Sequence, residues 1–180
     1  MTKVSVSVIS PEPEILPPKE WDLIRSWSRQ YFSSHPLSSR LSWVAKEGVH
    51  FRVLVHSDDE LVSHARVIER VSILDGKNVL AGGIGALMTA PGHHGEGFAS
   101  MALRESERLI FDEIRAEIGV LLCLPTLVPF YRNRRWQSIT CPVEFDQPTG
   151  AEIWPECAML LPKPGIQFIP KTFSLGGLPF

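Results

Sequence analysis

The sequence predicts a single α+β (α/β) domain, a mixed and mostly antiparallel central sheet flanked by helices. Three observations lead there. A length of 180 residues, 44% hydrophobic and 21% charged, suits one domain with a sizeable core. Residues 50–89 hold three strand-like runs separated by the short turns SDDE and DGKN, as antiparallel hairpins are. Finally, the glycine-rich stretch PGHHGEGF runs into a long helical pattern and then the continuous apolar run GVLLCL, which reads as a buried, parallel strand.

The elements follow in order. Residues 4–9 alternate apolar and serine side chains, the pattern of a half-buried strand. PEPEILPP breaks it. Residues 19–32 place Trp21, Ile24, Trp27 and Tyr31 at helical spacing, which predicts an amphipathic helix. SSHPLSSRLSW is polar and reads as a loop. Strands are expected at 50–56, 61–74 and 79–89. In the third, Gly82, Gly83 and Gly85 predict a bulge and a backbone that another group approaches closely. Residues 97–117 align Met101, Leu103, Leu109, Ile110 and Ile114 on one helix. A buried strand at 119–124 precedes a short helix at 126–134. Two more strands are expected near 138–145 and 157–161, joined by a QPTG turn. Periodicity does not decide the tail KPGIQFIPKTFSLGGLPF.

Composition narrows the function. A net charge of −2 without a basic run argues against a protein that neutralises many nucleic-acid phosphates. No apolar run is long enough to span a bilayer, and MTKVSVSVIS lacks a signal-peptide core. Cys123, Cys141 and Cys157 are an odd number without a CxxC pair; Cys123 reads as a core thiol, and a cytoplasmic setting is expected. His93 and His94 lack a third ligand at convincing spacing, so no metal is expected. The glycine turn is either a plain strand-to-helix connection or an anion site at a helix N-terminus.

The run His94-Gly95-Glu96-Gly97-Phe98-Ala99, with Pro91 upstream, resembles the acetyl-CoA loop of the GCN5-related N-acetyltransferase superfamily, Arg/Gln-x-x-Gly-x-Gly/Ala. Histidine stands in place of Arg or Gln. VPFYRNRRW falls where the superfamily has its Tyr-x-x-x-Gly-Phe-like segment. Within the superfamily the chain is most similar to the aminoglycoside 2′-N-acetyltransferases, thinly over residues 61–150, through SHARVIER, FYRNRRW and CPVEFDQPTG. The loop and tail are also similar to the nodulation-type N-acyltransferases. The first sixty residues match only in their order of elements.

The resemblance implies a single acyltransferase domain over residues 1–180, with acetyl-CoA as co-substrate and a small-molecule amine as acceptor. Neither nucleic acid nor membrane is implied as partner, and a homodimer is compatible with it. It implies a central strand that splays and pairs with pantetheine through Leu87, Met88 and Thr89. His94, Gly95, Glu96, Gly97, Phe98, Ala99 and Ser100 would hold the pyrophosphate, with the Glu96 side chain turned to solvent. Tyr131 would be the general acid for the leaving thiolate, since a phenol stays protonated at neutral pH.

The chain also departs from that pattern. The aminoglycoside enzymes carry an acidic residue, a proposed base, where this chain has Gly85, and their tails hold an acidic residue and end in tryptophan, where this one reads SLGGLPF. Polycationic sugars need carboxylates, which points to less cationic acceptors. His64 is the candidate base, because its ordinary pKa is about 6.5; packing explains a strand histidine equally well, and a water relay or a substrate-supplied base stays open. Trp21, Trp27, Trp43, Tyr31 and Phe32 would wall the acceptor site or simply fill core. Arg132, Arg134 and Arg135 would clamp the CoA 3′-phosphate or form a solvated helix end. A non-catalytic acyl-CoA-binding module is the reading from another class; an acyltransferase with a longer donor or an amino-sugar acceptor is a third.

Overall fold

In the computed structural model, residues 2–9, 16–33, 49–163, 165–166 and 169–180 are described. The expected SSHPLSSRLSW loop and Trp43 lie outside them.

The chain begins with β1 (Val4–Ile9) and α1 (Pro18–Phe32), followed by the meander β2 (Val49–Ser57), β3 (Glu60–Leu74) and β4 (Lys77–Thr89). Both hairpin turns work as their sequences predict. Asp58 and Asp59 (φ 48° and 66°), and Asp75 and Gly76 (φ 49° and 76°), take the paired left-handed conformation whose twist matches antiparallel strands. After β4 come α2 (Phe98–Arg108), β5 (Ile118–Cys123) and α3 (Val128–Arg132). The chain closes with β6 (Gln137–Ser138), β7 (Val143–Gln147), β8 (Gly150–Ile153), β9 (Cys157–Pro162) and β10 (Phe173–Ser174).

All strands join one mixed sheet. β1, β2, β3 and β4 pair antiparallel in sequence order, β4 pairs parallel with β5, and β5 pairs antiparallel with β9. β10 sits between the far end of β3 and β7. The α+β architecture and mixed sheet therefore stand as expected. On one face α2 buries Ala102 and Leu103, and the turn after it buries Ile110, in one cluster with Val53, Ala65 and Val67. On the other, Ile24 and Trp27 of α1 pack on Leu54 and Met88, and the tail packs Leu175 and Phe180 near Ile68.

Several boundaries differ from the expectations. The helix at 97–117 is α-helical only to Arg108. Its last turn, Leu109–Glu113, is a π-helix, and Arg115 at φ 58° stops it without a glycine. The strand expected at 138–145 is two strands, because Thr140 to Pro142 leave the sheet edge and carry the chain from β9 to β10. The QPTG turn joins β7 to the unforeseen β8, not to β9. The short helix at 126–134 begins as a 3₁₀ turn, Pro125–Leu127. β1 is an edge strand with Val4 and Val6 exposed, so its alternation marks no buried face.

Candidate active site

The site starts from a break in the sheet. β4 and β5 pair only from Ala81↔Ile118 to Ile84↔Leu121, yet β4 continues to Thr89 and β5 to Cys123. Between His64 and Arg66 the β3–β4 register shifts, and the extra residue on β4 is Ala86, at φ 50°. A bulge with a left-handed residue bends its strand and increases the local twist. Beyond Ile84 the two parallel strands thus part and open a gap. The bulge lies one residue past the three glycines, whose own task is close approach. A Cβ on Gly82 would lie 2.4 Å from Ile110, and one on Gly83 would lie 2.1 Å from the Phe180 ring. At Gly85 a Cβ would lie 2.7 Å from the Phe180 main-chain carbonyl carbon. The tail therefore occupies the place of a side chain at position 85.

At one end of the gap, residues 90–97 lead into α2. Gly92, Gly95 and Gly97 have φ of 91°, 85° and 90°, values open to glycine at little cost. Gly97 caps the helix with no side-chain hydrogen bond, so the first-turn N–H groups rely on other partners. Glu96 is half-exposed and reaches His93 at 3.3 Å. His94 turns the other way. The Tyr31 hydroxyl donates to the Thr89 carbonyl at 2.7 Å and lies 2.8 Å from His94 Nε2. With that hydroxyl proton spent on Thr89, Nε2 donates to the Tyr31 oxygen. Ser63 Oγ donates to the Met88 carbonyl at 2.7 Å. Two of the three carbonyls expected to meet pantetheine therefore already accept a bond, each with a second lone pair left. Arg134 reaches Ser100 Oγ at 2.5 Å and stacks on Phe130 at 4.0 Å, which brings a guanidinium to the N-terminus of α2. Arg132 reaches Ser138 instead.

Tyr131 stands across the gap. It is buried, edge-on to Phe130 and Trp136 at 5.0 and 6.3 Å. Burial, with Cys123 beside it, raises its pKa above the usual phenol value, so it is protonated at neutral pH. Burial pushes the Cys123 thiol up to about 12, leaving it a poor nucleophile.

His64 requires a correction. It is fully buried; Nδ1 is 3.1 Å from the Ala86 carbonyl and Nε2 is 3.0 Å from Arg52 Nη1. A guanidinium only donates, so Nε2 accepts and Nδ1–H donates to Ala86. Burial first, and then the Arg52 charge, lower its pKa to about 3. Taking a proton would break the Arg52 bond and bury a cation beside two guanidiniums. His64 holds the bulged carbonyl of Ala86 and is no base.

Gap, loop and tail line one cavity of about 1060 Å³, which takes in Gly85, Ala86, Leu87, Tyr131 and Phe180. Trp21, Tyr31 and Phe32 of α1 form its wall, whereas Trp27 belongs to the core. Sequence reasoning missed Ala86, Arg52, Arg66 and the tail. The glycines were a signal for the tail's approach, but the sequence alone does not say which segment approaches.

A splayed parallel strand pair, a glycine-capped helix at its mouth and a phenol across the gap define a fold of the acyl-CoA transferase class. A family model for the acetyltransferase (GNAT) domain matches residues 15–139. The chain belongs to the GNAT acetyltransferase family, whose co-substrate is acetyl-CoA. Among solved structures it is similar to Escherichia coli ElaA, at 13% identity over 87% of this chain and 99% of that one, with a TM-score of 0.61. It is likewise similar to an acyl-CoA N-acyltransferase from Pseudomonas aeruginosa, at 11% identity over 88% and 99%, with a TM-score of 0.59. A GCN5-related N-acetyltransferase from Kribbella flavida gives 20% identity over 74% of this chain but only 34% of that one, with a TM-score of 0.53. The chain thus spans about a third of that last relative's length. No curated protein matches the sequence significantly.

Proposed function

We propose that this chain transfers an acetyl group from acetyl-CoA to the amine of a small molecule, with both substrates bound together. One observation supports the reading: the β4–β5 gap opens into a cavity lined by the Tyr131 phenol, by Leu87, Met88 and Thr89 of β4, and by His94 of the loop that leads to the glycine-capped α2. Acetyl-CoA supplies an acyl group activated as a thioester. The first-turn N–H groups of α2, with His94, Gly95, Glu96, Gly97, Phe98, Ala99 and Ser100, hold the pyrophosphate, aided by the helix dipole. Leu87, Met88 and Thr89 offer their backbone to the pantetheine arm. The amine nitrogen bonds to the acyl carbon, the C–S bond breaks, Tyr131 gives its proton to sulfur, and water takes the proton that nitrogen loses.

Phe180 fills the space over Gly85, and His64 is committed to Ala86 and Arg52, so the proposal names no side-chain base. The finer likeness to aminoglycoside enzymes is not carried into it, for the position of their acidic residue is closed by the tail. Calorimetric titration with CoA, followed by thiol release across a panel of amines and of acyl donors of increasing length, tests the reading. A folded protein that binds no CoA would overturn it. CoA binding with no thiol release for any amine would favour the non-catalytic module, and preference for a long-chain donor would replace acetyl-CoA.

A further inference from the structure

β4 ends at Thr89, and the loop that leads to the cap of α2 begins its glycine-rich part at His94. In the function proposed above, acetyl-CoA must meet both, its pantetheine arm along β4 and its pyrophosphate at the loop. The spacing between these two stretches of backbone therefore matters as much as the shape of either. Between them runs the turn Ala90-Pro91-Gly92-His93, with Gly92 at φ 91° and one internal backbone bond, His93 N–H to the Ala90 carbonyl at 3.1 Å. Glycine widens the choice of conformations at such a turn, and a ligand that must narrow that choice binds more weakly.

Tyr31 spans the turn from outside. It sits in the last turn of α1, where Ile24 and Trp27 pack with Leu54 and Met88 and Ser28 Oγ donates to Met88 Sδ at 3.7 Å. From there the hydroxyl donates to the Thr89 carbonyl at 2.7 Å and accepts from His94 Nε2 at 2.8 Å. Burial raises the Tyr31 pKa, so the phenol keeps the proton it donates. The strand end is anchored in turn. Thr89 Oγ1 lies 3.4 Å from Ser63 Oγ, and the Ala90 N–H donates to the Val62 carbonyl at 2.8 Å. The bonds run in one direction, from His94 to the phenol oxygen and from the phenol to Thr89, and bonds in series strengthen one another. The superfamily pattern has Arg or Gln where His94 stands. All three side chains can donate a hydrogen bond, and here the donor is used within the protein.

We propose that Tyr31 is a positioning residue for the co-substrate: its hydroxyl sets the spacing between the Thr89 end of β4 and the loop at His94, so that both ends of acetyl-CoA meet backbone already in place. The inference deepens the acetyltransferase reading above and rests on it. Tyr31 acts through Thr89 and His94 and touches no reacting atom. Its effect falls on co-substrate affinity, because a site ordered before the ligand arrives does not have to be ordered by it.

The test titrates CoA by calorimetry into the wild type, Tyr31→Phe, His94→Leu, His94→Gln and the two His94 variants combined with Tyr31→Phe. Urea unfolding of each shows that it is folded under the conditions of the titration. Tyr31→Phe removes the hydroxyl and keeps the ring, and should weaken CoA binding about three- to tenfold, the range of one net hydrogen bond. His94→Leu should cause a similar loss. Tyr31→Phe/His94→Leu should be no weaker than the weaker single variant, within about twofold, because both changes break the same link. His94→Gln, whose amide still donates, should bind CoA better than His94→Leu when Tyr31 is present, and no better in the Tyr31→Phe background. A wild type that binds no CoA would overturn the function itself. With wild-type binding intact, an unchanged dissociation constant in Tyr31→Phe would overturn this inference alone. Losses that multiply in full in the double variant would overturn it too, since they would make the His94 side chain an independent contact of the phosphates.

Discussion

Lowering the pH should cost this protein stability through a single histidine. His64 is completely buried and neutral, donating to Ala86 and accepting from Arg52, with a pKa of about 3 against 6.5 when unfolded. Below 6.5 the unfolded chain binds a proton that the folded chain refuses, so stability is lost as pH is lowered from about 6.5 to about 3. Each unit of separation is worth about 1.4 kcal/mol. Between pH 7 and 4.5 the proton is bound almost wholly by the unfolded state over about two units, a loss close to 3 kcal/mol. The perturbation is His64→Gln, whose amide can donate to Ala86 and accept from Arg52 but does not titrate. Urea unfolding of both proteins at pH 7, 5.5 and 4.5 isolates the term, because carboxylates common to both cancel. Wild type should lose about 3 kcal/mol relative to the variant between the end points. A difference that stays flat within about half a kcal/mol would show that His64 titrates like an exposed histidine, and the neutral-anchor assignment would fall.

Further outcomes follow from the site. Gly97→Val forces a β-branched residue to φ 90° at the cap of α2, and should weaken CoA binding about tenfold or more by calorimetry in a variant verified as folded. Tyr131→Phe keeps the ring among Phe130 and Trp136 and should lower kcat by about 10²- to 10⁴-fold while CoA affinity barely moves, provided a burst experiment shows that chemistry limits the rate. Gly83→Val places its Cβ within the Phe180 ring and should displace the tail, read as a lower urea midpoint; an unchanged midpoint would refute the packing. Aminoglycosides should react poorly; specificity constants above about 10⁴ M⁻¹s⁻¹ on several of them would contradict the closure of position 85 by the tail.

The sequence by itself determined the local parts. SDDE and DGKN specify their turns because two adjacent left-handed residues need such side chains, and alternation places β2, β3 and β4 within a residue or two. The three glycines before α2 announce a backbone that only glycine adopts readily, and GVLLCL announces a strand buried on both faces. Each of these signals is written within a few neighbouring residues. What the tertiary structure decided is non-local. Phe180 closes over Gly83 and Gly85 from nearly a hundred residues away, and the strand expected at 138–145 is divided by two different pairing partners. His64 looked like a base because its ordinary pKa suits one; Arg52, Ala86 and burial made it neutral and occupied. Tyr31 and His94 stand 63 residues apart, and only the packing of α1 on β4 brings the hydroxyl to the loop. A pKa and a hydrogen bond depend on distances in space, which a linear order of residues does not contain.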